Sequence, residues 1–517
     1  MREFTAHMNE HLINGLYREE RTRLNDPLLS EAYNVRAMEH GLEAHRRVVD
    51  PFDGNIVVSF PFPQLYVGEH QTLLLGEQFI SSVNRASSPW SSSPYSMTPV
   101  ESGGVTTIPA GGVWHVVDLK DVWYLFNGEC TVAKLPDSDN PYLDTQIKIT
   151  TGTHFRGRVV VGGLRPAEIW SRGWDRIFSF WKENNVIPPG VEHDDVNRNY
   201  VMWGSIGGGD FPLWLIKPDI ITEGHIQSKA HHDYMYPADE TYAMEQLRLG
   251  QFGFMPMPFQ GEVLCVKPLG NGVMVYGEDG IVYLPHVSAA EPAPTFGMRP
   301  VMMTGVMSRG AVGGSDLFHV FVDSGGSLWS IDAELNPQRL GYKHFFEGMV
   351  GDDILITHDE ERTAFYISNG ENTYLLSSGL TEVSQHLTSL RFVDGSLTGL
   401  FEQDEDDEAR VVTMPLDMNL RAIKTATGLN VGVRCSAPVY GAIDFRYQRG
   451  EAFQRTPFVV LNREGNATIR AAGIEFRAVI KCDDYEDFEL DYIKLRWQSS
   501  DRRAVRGVDD ASFLTEA

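Results

Sequence analysis

Short apolar runs joined by glycine turns recur along this chain. Val273-Met274-Val275-Tyr276 leads through Gly277-Glu278-Asp279-Gly280 into Ile281-Val282-Tyr283-Leu284. His319-Val320-Phe321-Val322 leads through Asp323-Ser324-Gly325-Gly326 into Ser327-Leu328-Trp329-Ser330-Ile331. Ala364-Phe365-Tyr366-Ile367 leads through Ser368-Asn369-Gly370 to Thr373-Tyr374-Leu375-Leu376. Each unit predicts a β-hairpin, because a β-rich run on either side of a tight glycine turn brings two strands together. The glycines at 280, 326 and 370 are 46 and 44 residues apart. An interval of that size is one four-stranded sheet per repeat, as in β-propeller blades. An ordinary β-sandwich with evenly spaced hairpins would leave the same trace.

The same reading extends in both directions. Val122-Trp123-Tyr124-Leu125-Phe126 turns at Asn127-Gly128 into Cys130-Thr131-Val132, an earlier hairpin. Strand-like runs also cover 55–60, 61–68, 72–76, 113–117, 156–163, 200–203 and 213–216. The segment 169–185 places Trp170, Trp174, Phe178 and Trp181 on one face at helical spacing. Residues 1–50 are charged and poor in strand formers, and 18–23 and 37–47 predict short helices or an extended arm. From 431 onward, period-2 alternation predicts strands with one wet face, as in 474–480 and 490–497.

These elements give a mainly β chain of β-propeller-like repeated antiparallel sheets. Its expected divisions are an N-terminal helical arm (1–54), a propeller-like domain (55–430), a C-terminal β segment (431–500) and a tail (501–517). Insertions are expected at 86–112, 165–198 and 219–250. The C-terminal segment either closes the propeller or forms a small sheet. Gly280 is expected to need a positive φ, which would make Gly280→Val destabilising.

Composition narrows the function classes. With 517 residues and 42% hydrophobic content the chain can bury a large core. A net charge of −26 disfavours stable binding of nucleic acid but suits a surface past which DNA slides. Cys130, Cys265, Cys435 and Cys482 stand singly with no CxxC pair, so buried free thiols are expected. No apolar run reaches membrane-spanning length, and the first residues carry no secretion signal pattern. Synthesis in a reducing cytoplasm is the expectation.

Candidate chemistry is sparse. Gly207-Gly208-Gly209 matches neither a phosphate-binding loop nor a dinucleotide fingerprint. His225, His231 and His232, near Glu223 and Asp233, could hold a metal, but adjacent histidines on a polar stretch are common in loops. The acidic run 402–408 lacks the glycine and spacing of a calcium loop and reads as solvated. Arg299 and Ser308-Arg309-Gly310 read as structural. No catalytic, cofactor-binding or metal-binding residues are assigned, and no cofactor is expected.

Several passages resemble virion structural proteins of tailed bacteriophages. They are Phe60-Pro61-Phe62-Pro63-Gln64-Leu65-Tyr66-Val67, Trp203-Gly204-Ser205-Ile206-Gly207-Gly208-Gly209-Asp210 and Phe254-Met255-Pro256-Met257-Pro258-Phe259-Gln260-Gly261. Lys267 to Tyr276 and Arg309 to Gly314 belong with them. The layout is similar to the propeller nozzle or tail-hub proteins of short-tailed phages. The resemblance implies a non-enzymatic tail component in the virion, assembled as a homo-oligomeric ring, a hexamer in the nozzle case. Its partners would be itself, other tail or connector proteins, and DNA only in transit, with no membrane insertion. Two other readings stay open: a receptor-binding or fibre-associated propeller on the virion exterior, and a carbohydrate-active propeller enzyme.

Overall fold

The computed structural model describes residues 3–19, 24–99, 104–120, 122–134, 138–145, 147–166, 198–204, 253–287, 295–349, 354–403, 408–420, 422–484 and 486–499. The expected helix at 169–185, the 219–250 insertion, Gly207 to Gly209, His225, His231, His232, the acids 404–407 and the 501–517 tail lie outside them. The chain is mainly β and divides into two compact units. Unit 1 comprises residues 1–48, 361–386 and 402–517, and unit 2 comprises 49–360 and 387–401.

Unit 2 contains five sheets built in strict chain order. The first is Gln64–Val67, Thr72–Leu75, Ile80–Asn84 and Ser91–Pro94. The second is His115–Leu119, Val122–Phe126, Thr131–Lys134 and Tyr142–Asp144, with Thr98–Pro99 added parallel at its edge. The third is Ile147–Phe155, Arg158–Pro166, Tyr200–Trp203 and Gly253–Pro256. The fourth is Val263–Leu269, Gly272–Gly277, Ile281–Pro285 and Arg299–Met302, and the fifth is Val312–Gly314, Phe318–Val322, Leu328–Asp332 and Pro337–Gly341. The strand Leu355–Asp359 and the pair Gln385–Val393 with Ser396–Gln403 follow.

The burial pattern explains why these strands read as apolar runs. Every residue of Val122–Phe126 and of Gly272–Gly277 is buried, so both faces are covered and alternation disappears. Three of the fourth strands are the opposite. Ser91–Pro94, Arg299–Met302 and Pro337–Gly341 are largely exposed, and each carries a proline, which blocks edge pairing with another chain.

Successive sheets pack face to face. Leu73, Ile80, Trp123 and Val132 join the first and second. Val160, Trp203, Val266 and Val275 join the third and fourth, and Tyr276, Ile281, Phe321 and Ile331 join the fourth and fifth. Leu400 of the final pair packs with Leu65 and Leu74 of the first sheet. The last element of unit 2 therefore closes back on the first.

Gly128, Gly280, Gly326 and Gly370 all lie between the two strands of a hairpin. Gly128, Gly326 and Gly370 have positive φ, but Gly280 does not, which corrects the expected reason for its glycine. A Cβ there would come within 2.9 Å of the Phe259 ring, so close packing and not backbone strain selects glycine.

Asx side chains hold these turns. Asp323 is 6% exposed and accepts bonds from the Gly325 and Ser327 amides at 3.0 and 2.7 Å and from the Trp329 indole at 2.7 Å. Asp323→Ala strands those three donors and is expected to cost about 3 kcal/mol. Urea unfolding checks this, and a midpoint unchanged from wild type would contradict it.

Unit 1 corrects the N-terminal expectation. Among the described residues of this segment helix is confined to Asn9–Asn14, and 35–44 forms the hairpin Val35–Met38 with Gly41–Ala44. Its buried positions Val35, Ala37 and Leu42 match a strand pair, whereas Ala, Met, Glu and Arg had suggested helix. The N-terminal segment is no free arm. Glu3–His7 and Gly41–Ala44 both pair with Glu489–Ser499, and Leu29–Tyr33 pairs with Ala409–Thr413. The C-terminal strands thus form sheets with the N-terminal ones within one unit. Residues 86–112 are also more than a loop, since they supply Ser91–Pro94 and Thr98–Pro99. The hairpin at Gly370 belongs to unit 1, where Leu380–Val383 extends it.

Candidate functional site

Unit 2 encloses a cavity of about 430 Å³. Its wall is built from the opening strand of each sheet in turn. Gln64 to Tyr66, Trp114 to Val116, Gly152 and Thr153, Val266 to Pro268 and Val312 to Gly314 come from the five sheets. Leu355 to His358 and Thr388 to Arg391 complete it, giving seven positions around one space.

Polar bonds tie neighbouring positions together. The Trp114 amide donates to Gln64 Oε1 at 2.9 Å. The Val266 amide donates to Thr151 Oγ1 at 3.0 Å, which leaves the Thr151 hydroxyl proton for His115 Nδ1 at 3.2 Å. The Ile356 amide donates to the Gly310 carbonyl at 2.9 Å. Arg391 stands 4.0 Å from Glu360, and Thr388 Oγ1 donates to the Pro63 carbonyl at 2.6 Å.

The cavity wall carries three cations, Lys267, Arg309 and Arg391, and two carboxylates, Asp316 and Glu360. Burial lowers the Lys267 ammonium below its ordinary range. Burial, then the charges of Lys267 and Arg309, lower His115 to about 3, so its ring is neutral, in keeping with an acceptor Nδ1. Burial lowers His358 as well. Burial and the adjacent Asp118 raise Tyr66 to about 12.

Arg309 is the polar centre of this region. Its guanidinium donates to the Asn127 carbonyl at 2.8 Å and lies 3.5 Å from Glu262, which is 2% exposed. Thr150 donates to the same Glu262 oxygen. One side chain from the segment leading into the fifth sheet thus reaches the hairpin turn of the second and the entry of the fourth, in keeping with the structural reading of the Ser308-Arg309-Gly310 segment. Arg299, in an exposed fourth strand, lies outside the cavity wall.

His319 is fully buried between two partners. The Pro268 carbonyl at 2.9 Å can only accept, so Nε2 carries the proton and Nδ1 accepts from the Tyr276 hydroxyl at 2.8 Å. Burial lowers its pKa from 6.5 to about 3. Between those values the unfolded chain binds a proton that the folded one refuses, so stability rises with pH through this window and is lost on acidification. The expected loss is about 1.4 kcal/mol per pH unit for this group. In His319→Gln, urea midpoints from pH 6.5 to pH 4 should fall less steeply than in wild type, and an unchanged slope would contradict the assignment.

Among the described residues no three His, Cys, Asp or Glu side chains come together as a metal-binding set. No helix among them is long and apolar enough to cross a membrane. No family model matches the chain, and no curated protein matches it. Among solved structures it is similar to apo AztD from Citrobacter koseri, at TM-score 0.35 and 8% identity over 68% of this chain and 82% of that one. It is also similar to an exo-β-1,3-galactanase from Phanerochaete chrysosporium, at TM-score 0.28 and 7% identity over 78% and 99%. Both scores lie below 0.5, and neither carries a function to this chain.

Proposed function

We propose that unit 2 is a β-propeller with seven positions around its cavity. We further propose that the chain is a non-enzymatic structural component of a bacteriophage tail, a nozzle- or hub-like subunit of a ring on the tail axis. The observation that carries the propeller reading is the closed succession of sheets, each opening strand on one cavity and the last element packed on the first. The tail role rests on the sequence resemblance and on the net charge of −26, which keeps DNA mobile at a surface it passes. The conduit in this reading is the lumen between subunits. At about 430 Å³ the internal cavity is smaller than a cube with the roughly 12 Å edge of a DNA major groove.

The enzyme alternative asks for carboxylates flanking a sugar ring. Cations outnumber carboxylates in this wall, and the two carboxylates present are exposed. Purified protein is therefore expected to leave polysaccharide and peptidoglycan intact. Turnover lost on replacing Asp316 or Glu360 would overturn the non-enzymatic reading. Quantitative mass spectrometry of purified particles is expected to find several copies per virion, six in the nozzle case, and a single copy would contradict the ring.

A further inference from the structure

Two of the four cysteines, distant in sequence, meet in unit 1. Cys482 ends the strand Glu475–Cys482, where its backbone is held between Ala409 and Val439 of the flanking strands. Cys435 follows the strand Lys424–Arg434, whose last rung pairs Arg434 with Glu489. These strands belong to different sheets of the unit. Their ends bring the two sulfurs to 3.3 Å, across 47 residues of chain. We propose that Cys435 and Cys482 are an oxidative cross-linking site, closed to an inter-sheet disulfide by thiol–disulfide exchange with a low-molecular-weight disulfide.

The geometry needs little change. A disulfide requires about 2.05 Å between sulfurs, so the approach is about 1.2 Å, within the reach of side-chain torsions on backbones already fixed by their ladders. Cys482 is fully buried and donates to the Asp484 carbonyl at 2.9 Å, while Cys435 is half-buried. Access therefore orders the steps. The Cys435 thiolate attacks the external disulfide, forming a mixed disulfide and releasing one thiol. Cys482 then attacks Cys435 Sγ, its proton passing to the departing thiolate, and expels the second thiol. Two protein thiols are oxidised to one disulfide, and one external disulfide is reduced to two thiols. Burial and the neighbouring Cys482 raise the Cys435 pKa, so the first step accelerates as pH rises. Cys130 and Cys265 are both fully buried, and Cys130 lies beside Asn127.

The test uses the full chain, reduced and freed of reductant, then treated with oxidised glutathione at pH 8.5. Thiols titrated in denaturant are expected to fall from four to two. Trypsin should then release peptide 435–446 linked to peptide 482–494. The melting temperature should rise by about 5–10 °C, as expected for closing a loop of this length, and return on adding dithiothreitol. Cys435→Ser and Cys435→Ala, checked for native far-UV circular dichroism, should lose both the link and the rise. Four surviving thiols, glutathione retained on Cys435, a link through Cys130 or Cys265, or an equal rise in the Cys435 variants would each overturn the proposal.

Discussion

Replacing Arg309 with methionine is expected to destabilise the protein by about 3–5 kcal/mol, the range found when one partner of a buried pair is removed. The guanidinium faces Glu262, whose side chain is 2% exposed, and it also donates to the Asn127 carbonyl. Methionine keeps much of the packing volume but takes this cation away from a buried carboxylate that Thr150 still bonds. Adding Glu262→Gln removes the stranded charge, so the double variant is expected to recover at least 1 kcal/mol or so of the loss. Urea unfolding of the two single variants and the double variant measures this. A double variant no more stable than Arg309→Met would show that the charge pair is not what the substitution breaks.

The second large effect is expected at Gly128. It has φ +87°, and a Cβ there would lie on the Arg309 guanidinium itself. Two costs therefore add. A left-handed backbone costs a non-glycine residue about 1–2 kcal/mol, and a β-branched residue more. Displacing Arg309 also breaks its bonds to Asn127 and Glu262. Gly128→Val is expected to lose about 4 kcal/mol or more, enough to leave little folded protein at 37 °C. In the Arg309→Met background the flexible methionine yields, and Gly128→Ala should cost only the backbone part, about 1–2 kcal/mol. If Gly128→Ala costs the same in both backgrounds, the collision is not the cause.

The hairpins around Gly128, Gly280, Gly326 and Gly370 were legible because their signal is local. Runs buried on both faces are continuously apolar, and the turns need glycine for left-handed backbone at 128, 326 and 370 and for the approach of Phe259 at 280. The division into units was not legible, because its pairings are the most distant in the chain. Leu29–Tyr33 finds Ala409–Thr413, and Glu3–His7 finds Glu489–Ser499. Strands of four or five residues carry too few apolar positions to declare a period, which is why 37–47 read as a short helix or an extended arm. The cavity is hidden for a related reason. It takes short runs from each of seven separate segments, and no one of them is a motif. Arg309 did read as structural, though its partners Asn127 and Glu262 lie 182 and 47 residues away, beyond any pattern in the sequence.

The cationic cavity wall and the acidic chain as a whole are consistent with one another once the two surfaces are kept apart. Charge inside unit 2 fixes neighbouring sheets, through Arg309 and Glu262 above all. In the proposed tail role, charge outside would set how the molecule meets DNA and its own copies. A ring of such subunits repels itself, so its association is expected to strengthen with salt and on the particle.

A reconstruction of the assembled phage particle tests the central claim most directly. The expected result is density for several copies of this chain in a closed ring on the tail axis, acidic faces lining the lumen, with unit 2 resolved as seven positions around its own cavity. A single copy, or copies confined to a peripheral fibre away from the axis, would contradict the conduit role and favour a receptor-binding one.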